Sequence, residues 1–492
     1  MLNQNQTPLL DALKANATRP HAPFYMPGHK QGKGISQPLA DLLGKAVFCA
    51  DLTELGDLDN LFAPQGVIQE AQQLAAQAFG ASQTWFLVNG STCGIEAAIL
   101  ATCGAGDKII LPRNVHSSAI AGLILSGAIP VFLNPEYDPI LDIAHSITPA
   151  AVESALQQHP DAKAVLTVYP TYYGVCGNLR AIANITHQYN IPLIVDEAHG
   201  AHFNFHPELP TPALAAGADL TVQSIHKVLG AMTQASMLHV QGNRIDGDRI
   251  SKALQLLQST SPSYILLASL DAARQQMALH GKMLMSHTLQ LAQEARTKIS
   301  QLPGLSVLST PSQGGLGGSA GFMALDQTRL TVTVSNLGLT GFAADEILDE
   351  KFAVTAEFPS QQHLTFIISL GNTAADIHQL VQGFTILAKE YRPTNATVKN
   401  YILQDFSTTF GTNLCLSVRE AFFAASEILP LAKTCDRICA EIVCPYPPGI
   451  PVLMPGELIT KPVLDYLQQI QTMGGFISGC NDTNLQTLKV VK

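Results

Sequence analysis

Charged side chains are scarce in this chain. Asp, Glu, Lys and Arg make up 13% of its 492 residues, against 47% hydrophobic. A chain that stays disordered has the opposite balance, so this composition excludes disorder and implies extensive buried surface. At this length one hydrophobic core rarely organises everything, and two or three domains are expected. Part of the apolar share suits subunit interfaces. Lysine- and arginine-rich runs are missing and the net charge is −10, which leaves no electrostatic footprint for a nucleic acid. An acidic field instead favours the approach of a small cation. Long apolar runs are absent too: KIILP (108–112) and IPLIV (191–195) are far too short to cross a bilayer. The N-terminus, MLNQNQTPLLDALKANATRP, lacks a basic start followed by an apolar stretch. It reads as no signal peptide, and a cytoplasmic location is expected. The nine cysteines form no framework. Cys435, Cys439 and Cys444 are spaced by four and five, unlike a paired C-x-x-C zinc pattern, so buried thiols and no metal are expected.

What the chain does contain is alternation. Residues 1–75 read as an irregular N-terminal segment with a glycine-rich loop, GHKQGKG, at 28–34. From 76 onward, short apolar strands (TWFLV, KIIL, IPVFL, AVLTVY, PLIVD, DLTVQS) alternate with helical segments such as STCGIEAAILATCG and NLRAIANITHQY. This predicts an α/β fold, a mostly parallel sheet between helices, over a large domain at 76–301. Its last part, 263–301, reads as one long helical region. A small α/β domain is expected at 302–391, with strands GFMAL, RLTVTV and LTFIISL and a helix ending at AKEY. A connector, RPTNATV (392–398), leads into a C-terminal α/β domain over 392–492 with a proline-rich turn, CPYPPGIPVLMPGE (444–457).

Three pieces of the large domain fit together chemically. NGSTCG (89–94) follows a strand and opens a helix. Glycine lets a backbone approach an anion, first-turn amides donate to it, and the hydroxyls of Ser91 and Thr92 add donors. On its own this pattern is an ordinary helix cap. Asp196 closes the apolar strand of IPLIVDEAHGAH, at the carboxyl end where parallel sheets collect ligands. A carboxylate there can hold a protonated ring nitrogen. His199 and His202 lie on no evident helix and lack a third ligand, so no metal is assigned to them. Lys227, in SIHKVLGAMTQ after the next strand, stands beside Ser224 and His226. Partial desolvation favours the neutral amine that a Schiff-base nucleophile needs. Phosphate loop, strand-end aspartate and lysine, in that order, point to pyridoxal phosphate (PLP).

NGSTCGIEAA, DEAHGAH, SIHKVLGAMTQ, TSPSYILLASLDAAR and PYPPGIPVLMPGE together resemble the Orn/Lys/Arg decarboxylases, in the short form without an N-terminal receiver-like domain. The resemblance runs from MPGHKQG (26–32) to the C-terminus. It implies the aspartate-aminotransferase-like fold type I and a homodimer or higher assembly of dimers. It also implies residue roles: Ser91 and Thr92 on the phosphate, Asp196 on the pyridine nitrogen and His116, in RNVHSS, stacked on the ring. His199 is implied near the phenolic oxygen, Ser224 and His226 at the phosphate, and Lys227 at the aldehyde carbon. Thr260 and Ser261 are implied to reach the partner subunit's phosphate. The catalytic set is thus Lys227, His116 and Asp196.

The implied reaction is α-decarboxylation of a basic amino acid, L-arginine to agmatine first, as in polyamine biosynthesis. Lysine and ornithine remain alternatives. The cofactor supplies the electron sink and the protein selects the bond that breaks. A PLP aminotransferase of the same fold is the main rival. It would clamp the substrate carboxylate with an arginine, and HLTFIISLGN (363–372) has none. A catalytically silent regulatory relative is the other alternative. A long cationic side chain calls for distal acids. Candidates are Asp57 and Asp59, with Asp51 and Glu54, in ADLTELGDLDN, and Glu357 and Glu457.

Overall fold

The computed structural model describes residues 2–310, 319–391, 413–446 and 449–492. The chain divides into two compact units, Met1–Ala101 with Ile194–Met285, and Thr102–Leu193 with Ser286–Lys492.

In the first unit, apolar runs become strands at Gln83–Leu87, Leu193–Asp196, Leu220–Gln223 and Ser236–Val240. Nearly every residue of these strands is buried, as expected of strands covered on both faces. Gln83–Leu87 pairs antiparallel with Ser236–Val240, which pairs antiparallel with Leu220–Gln223. Leu220–Gln223 runs parallel to Leu193–Asp196. Ser236–Val240 escaped the sequence reading, because SMLHV places a polar serine and histidine among its apolar residues. Two helices flank Gln83–Leu87 in sequence, Val67–Phe79 and Gly90–Thr102. The N-terminal segment is less irregular than expected: helices form at Pro8–Thr18, Gln37–Leu43 and Lys45–Ala50. Proline at the first helical turn starts two of them, where its missing N–H costs nothing. GHKQGKG does remain a run of turns.

The second unit holds three parallel strands, with Lys108–Pro112 paired to both Ile129–Leu133 and Ala164–Val168. It also holds an antiparallel sheet in the order Ser306–Val307, Arg329–Thr333, His363–Ile367, Phe358–Pro359. Helices Gly341–Phe352 and Ala374–Glu390 accompany this sheet, and Leu330, Val332, Leu348, Leu364 and Phe384 share one core with it. The long helix Tyr264–Ser300 leads there from the first unit. Near the C-terminus, Ser426–Pro430 pairs with Thr487–Val491 and Cys444–Tyr446 with Phe476–Ser478. With the helix Lys461–Thr472 they surround a separate core that includes Val443, Leu453, Ile459, Leu467 and Leu488. The connector expected at 392–398 lies outside the described residues. Among the described residues no helix is long and apolar enough to cross a membrane, no His/Cys/Asp/Glu group is arranged to hold a metal, and all nine cysteines are thiols.

Candidate active site

Strand ends and short helices of the first unit bring together side chains far apart in sequence. After Gln83–Leu87 the chain turns at Gly90, whose φ of +76° suits glycine, and enters the helix Gly90–Thr102. A Cβ on Gly94 would lie 2.6 Å from Val222 Cγ1 and 2.7 Å from Leu87 Cδ1. Only glycine lets this helix rest so closely on the strands, with its first-turn amides at their ends. Ser91 Oγ there accepts a hydrogen bond from Ser224 Oγ at 2.8 Å. Ser224 is fully buried at the end of Leu220–Gln223, Ser91 is half-buried and Thr92 is exposed.

Asp196 ends its strand in a buried position and accepts from the Ala198 amide at 3.2 Å. Burial raises its carboxyl pKa, while the Lys227 charge and the Ala198 N–H oppose that rise. Lys227 rides on a single helical turn, Ile225–Val228, that follows Ser224. Its Nζ lies 3.1 Å from His199 Nε2. His226 beside it is pushed down to about 4, by burial first and then by the Lys227 charge, and so is neutral at pH 7.

Beneath these groups runs a buried polar chain that the sequence did not reveal. Glu197 is fully buried and accepts from the Ala213 amide at 2.8 Å, Thr221 Oγ1 at 3.0 Å and Gln223 Nε2 at 2.8 Å. Gln223 Oε1 lies 3.2 Å from His239 Nε2, and His239 Nδ1 lies 2.8 Å from Thr84 Oγ1. Since Gln223 Oε1 can only accept, His239 carries its proton on Nε2, and the Thr84 hydroxyl donates to Nδ1. Donors thus point one way, from Thr84 to the Glu197 carboxylate, across strands that lead into NGSTCG, SIHK and DEAHG. A glutamate after a strand-end aspartate looks like any surface acid in sequence. Its one signal was Gly200, where a Cβ would meet Glu197 Cγ at 2.7 Å.

The remaining expected residues have other surroundings. Thr260 and Ser261 are exposed on the first unit, before the helix Tyr264–Ser300. Asp57 is exposed, with Arg19 3.8 Å away. Asp51 meets His29 Nε2 at 3.1 Å, and Glu54, whose pKa burial raises, accepts from Asn60 Nδ2 at 2.9 Å. Asp59 is committed to its own loop. Its carboxylate accepts from the amides of Asn60, Gln65, Gly66, Ile68 and Gln69. Burial alone would raise its pKa, but these amides outweigh it and hold the carboxyl low. It caps the helix Val67–Phe79, leaving little for a substrate.

In the second unit, His116 caps the helix Ser117–Ser126, its Nδ1 accepting from the Ser118 amide at 3.2 Å. Glu357 is exposed and contributes to the field at fully buried Arg329. Glu457 departs furthest from its expected role as a substrate-binding acid. It is buried, with both oxygens on Arg113 Nη2 at 3.1 and 3.2 Å and one also on the Met454 amide. Such a carboxylate is consumed by the fold.

The donor set of the first unit fits PLP. Hydroxyls and helix amides suit a phosphate, the buried carboxylate suits a protonated ring nitrogen, and the lysine amine suits an aldehyde, while the space beside Gly94 keeps these segments together. Two family models match the chain: the Orn/Lys/Arg decarboxylase major domain over residues 7–376 and the C-terminal domain over 416–484. An arginine decarboxylase of Bacillus subtilis is 38% identical, covering 100% of this chain and 99% of its own. One of Halalkalibacterium halodurans is 40% identical with the same coverage. In fold, the chain is similar to lysine decarboxylase A of Pseudomonas aeruginosa. The TM-score is 0.83 at 24% identity, over 99% of this chain and 80% of the other. The constitutive lysine decarboxylase of E. coli gives 0.81 at 23%, over 99% and 82%. The chain belongs to the Orn/Lys/Arg decarboxylase family, enzymes that work with PLP.

Proposed function

We propose that this enzyme removes the α-carboxylate of L-arginine as carbon dioxide and leaves agmatine. The observation that carries the reading is the Lys227–His199 pair beside buried Asp196. The full-length relatives named arginine decarboxylase support the substrate. Lys227 would hold the aldehyde end of PLP, Asp196 its ring nitrogen, and Ser91, Thr92, Ser224 and His226 its phosphate. When bound, PLP supplies a conjugated ring that takes up the electron pair released as the Cα–carboxylate bond breaks.

The chain's own groups then have definite tasks. Asp196, buried and therefore a strong acceptor, keeps a proton on the ring nitrogen. His199 Nε2 accepts from the Lys227 amine, which fixes that side chain and puts the His199 proton on Nδ1. A proton must finally reach Cα, with Lys227 or His116 as the donor. Asp57 and Glu357, both exposed, remain the acids proposed for the guanidinium, Thr260 and Ser261 the reach to the partner's phosphate. The reading extends to a cytoplasmic enzyme of polyamine biosynthesis that works as a homodimer or an assembly of dimers. Exposed Phe24, Met26 and Leu42 on the N-terminal segment suit such an interface. The division at 75, 301 and 391 is retained as the proposed domain plan.

Transamination is the second reading. A pyridoxamine-pyruvate aminotransferase shares the fold more distantly, with a TM-score of 0.50 over 65% of this chain. Arg329 does lie on the strand beside His363–Ile367, but it is fully buried and offers no face to a substrate carboxylate. The test is carbon dioxide release and product identity with arginine, lysine and ornithine. Agmatine with stoichiometric carbon dioxide supports the proposal; a keto acid without it favours the rival. Turnover of lysine or ornithine alone changes the substrate. A purified protein without a PLP absorbance band would be a silent relative.

A further inference from the structure

The proline-rich segment that ends in Glu457 has no task in the chemistry above, yet within the second unit it grips the segment that carries His116. The strand Lys108–Pro112 runs into Arg113, which is buried. The Arg113 guanidinium donates from Nη1 to the Pro451 carbonyl at 2.7 Å. From Nη2 it donates to the Val452 carbonyl at 3.0 Å and to both Glu457 oxygens. Glu457 is itself held by the Met454 amide at 2.9 Å. Beyond His116, the Ser117 amide donates to the Gly449 carbonyl at 3.1 Å. At the far end of the helix Ser117–Ser126, Arg419 donates to the carbonyls of Ile124 and Leu125 at 2.7 and 2.8 Å. Each end of this helix thus shares hydrogen bonds with the C-terminal region.

His116 stands between Arg113 and Ser117. Because its Nδ1 accepts from the Ser118 amide, the neutral ring carries its proton on Nε2. Taking Arg113 and Glu457 out of water is costly, and an apolar pair would fill the space at less cost. What the ion pair adds is direction: a planar fork with one allowed geometry.

We propose that Glu457, with the backbone of Gly449, Pro451 and Val452, is a positioning clamp that acts through Arg113 to fix the His116 imidazole for the reaction. Glu457 is then a positioning residue and not an acid that pairs with the substrate. This rests on the reading of His116 as the residue stacked on the cofactor ring.

The test uses the full-length holoenzyme. Glu457→Gln keeps the shape and removes the charge. It is expected to lower kcat by about 10-fold to 100-fold, the upper figure being the scale of a catalytic group displaced by about 1 Å, with KM for arginine unchanged. Two readouts do not depend on turnover. The Ser117 and Ser118 amides should exchange hydrogen about tenfold faster, and circular dichroism of the bound cofactor should weaken. In a His116→Ala background, Glu457→Gln should change kcat little further, because the two act as one unit. Arg113→Lys, which keeps the charge and loses the planar fork, gives the same exchange readout if Glu457→Gln fails to fold. Unchanged exchange, an unchanged kcat in a loosened Glu457→Gln variant, or additive losses in the double variant would each overturn the clamp. If His116→Ala alone leaves kcat and the dichroism intact, the role of His116 falls and the clamp's link to catalysis falls with it. Carbon dioxide release from arginine by the wild type judges the decarboxylase reading separately.

Discussion

Lys227 Nζ and His199 Nε2 stand 3.1 Å apart, although DEAHG and SIHK follow the ends of different strands. The parallel pairing of Ile194 with Leu220 and Asp196 with Val222 sets this approach, because it brings both strands to an end at the same level. Register alone therefore places an amine, an imidazole and a buried carboxylate in one group.

Replacing Lys227 by Ala is expected to abolish turnover and remove the coloured cofactor band. Borohydride reduction of the wild-type holoenzyme, followed by peptide mapping, should tag Lys227. A tag elsewhere refutes the assignment. His199→Ala should retain the band and lower kcat about 10-fold to 100-fold, the worth of one hydrogen bond to a charged group.

Gly94→Ala should lose cofactor affinity and stability together. Its methyl would meet Val222 and Leu87 at 2.6–2.7 Å, and overpacking of this kind costs about 1–3 kcal/mol. The helix Gly90–Thr102 must shift, and Ser91 moves with it. Calorimetry and PLP titration measure both effects. Wild-type affinity in the variant would mean that the helix can slide without disturbing the phosphate site.

Apolar runs at 84–88, 108–111, 164–169 and 219–224 all became strands, since a strand buried on both faces needs no partner to be recognised. The order Ser91, Asp196, Lys227 likewise pointed to PLP, and PYPPGIPVLMPGE with the other motifs carried the resemblance to the family. What stayed hidden depended on partners distant in sequence. Glu457 looked available until Arg113, more than three hundred residues earlier, proved to occupy it. Asp59 looked like its neighbour Asp57 until its loop folded back to bring amides from 60 to 69 around the carboxylate. Ser236–Val240 was obscured by His239, whose polarity is satisfied only by Thr84 and Gln223 on adjacent strands.

Asp57 and Asp59 should therefore separate by experiment. Asp59→Ala removes the acceptor for the start of Val67–Phe79 and should lower stability by about 1–2 kcal/mol, as lost helix caps do. Asp57→Asn, exposed, should leave the melting temperature alone and raise KM for arginine. Equal melting temperatures for wild type and Asp59→Ala would show that water replaces the carboxylate without loss. An unchanged KM in Asp57→Asn removes that residue from the site.

The chain from Thr84 to Glu197 makes a prediction about pH. Burial raises Glu197 to about 7 from the ordinary 4.5 of a glutamate, against the pull of its Gln223, Ala213 and Thr221 donors. A raised acid binds its proton more tightly in the native state, so its contribution is complete below pH 4.5 and is lost as pH climbs through 7. Over that window the loss is on the order of 3 kcal/mol. His239 behaves oppositely: burial lowers it to about 3 from 6.5, so stability is present above pH 6.5 and is lost as pH falls through 3. Between pH 4.5 and 6.5 the native state holds the Glu197 proton and the unfolded state the His239 proton, and the two slopes cancel. Glu197→Gln should remove one arm, and the variant's stability relative to wild type should climb as pH rises from 4.5 to 7. His239→Gln should show the reverse trend below pH 6.5. Urea unfolding across pH 4.5–7 measures the difference curves, and parallel curves for wild type and Glu197→Gln would mean that Glu197 keeps an ordinary pKa inside the fold.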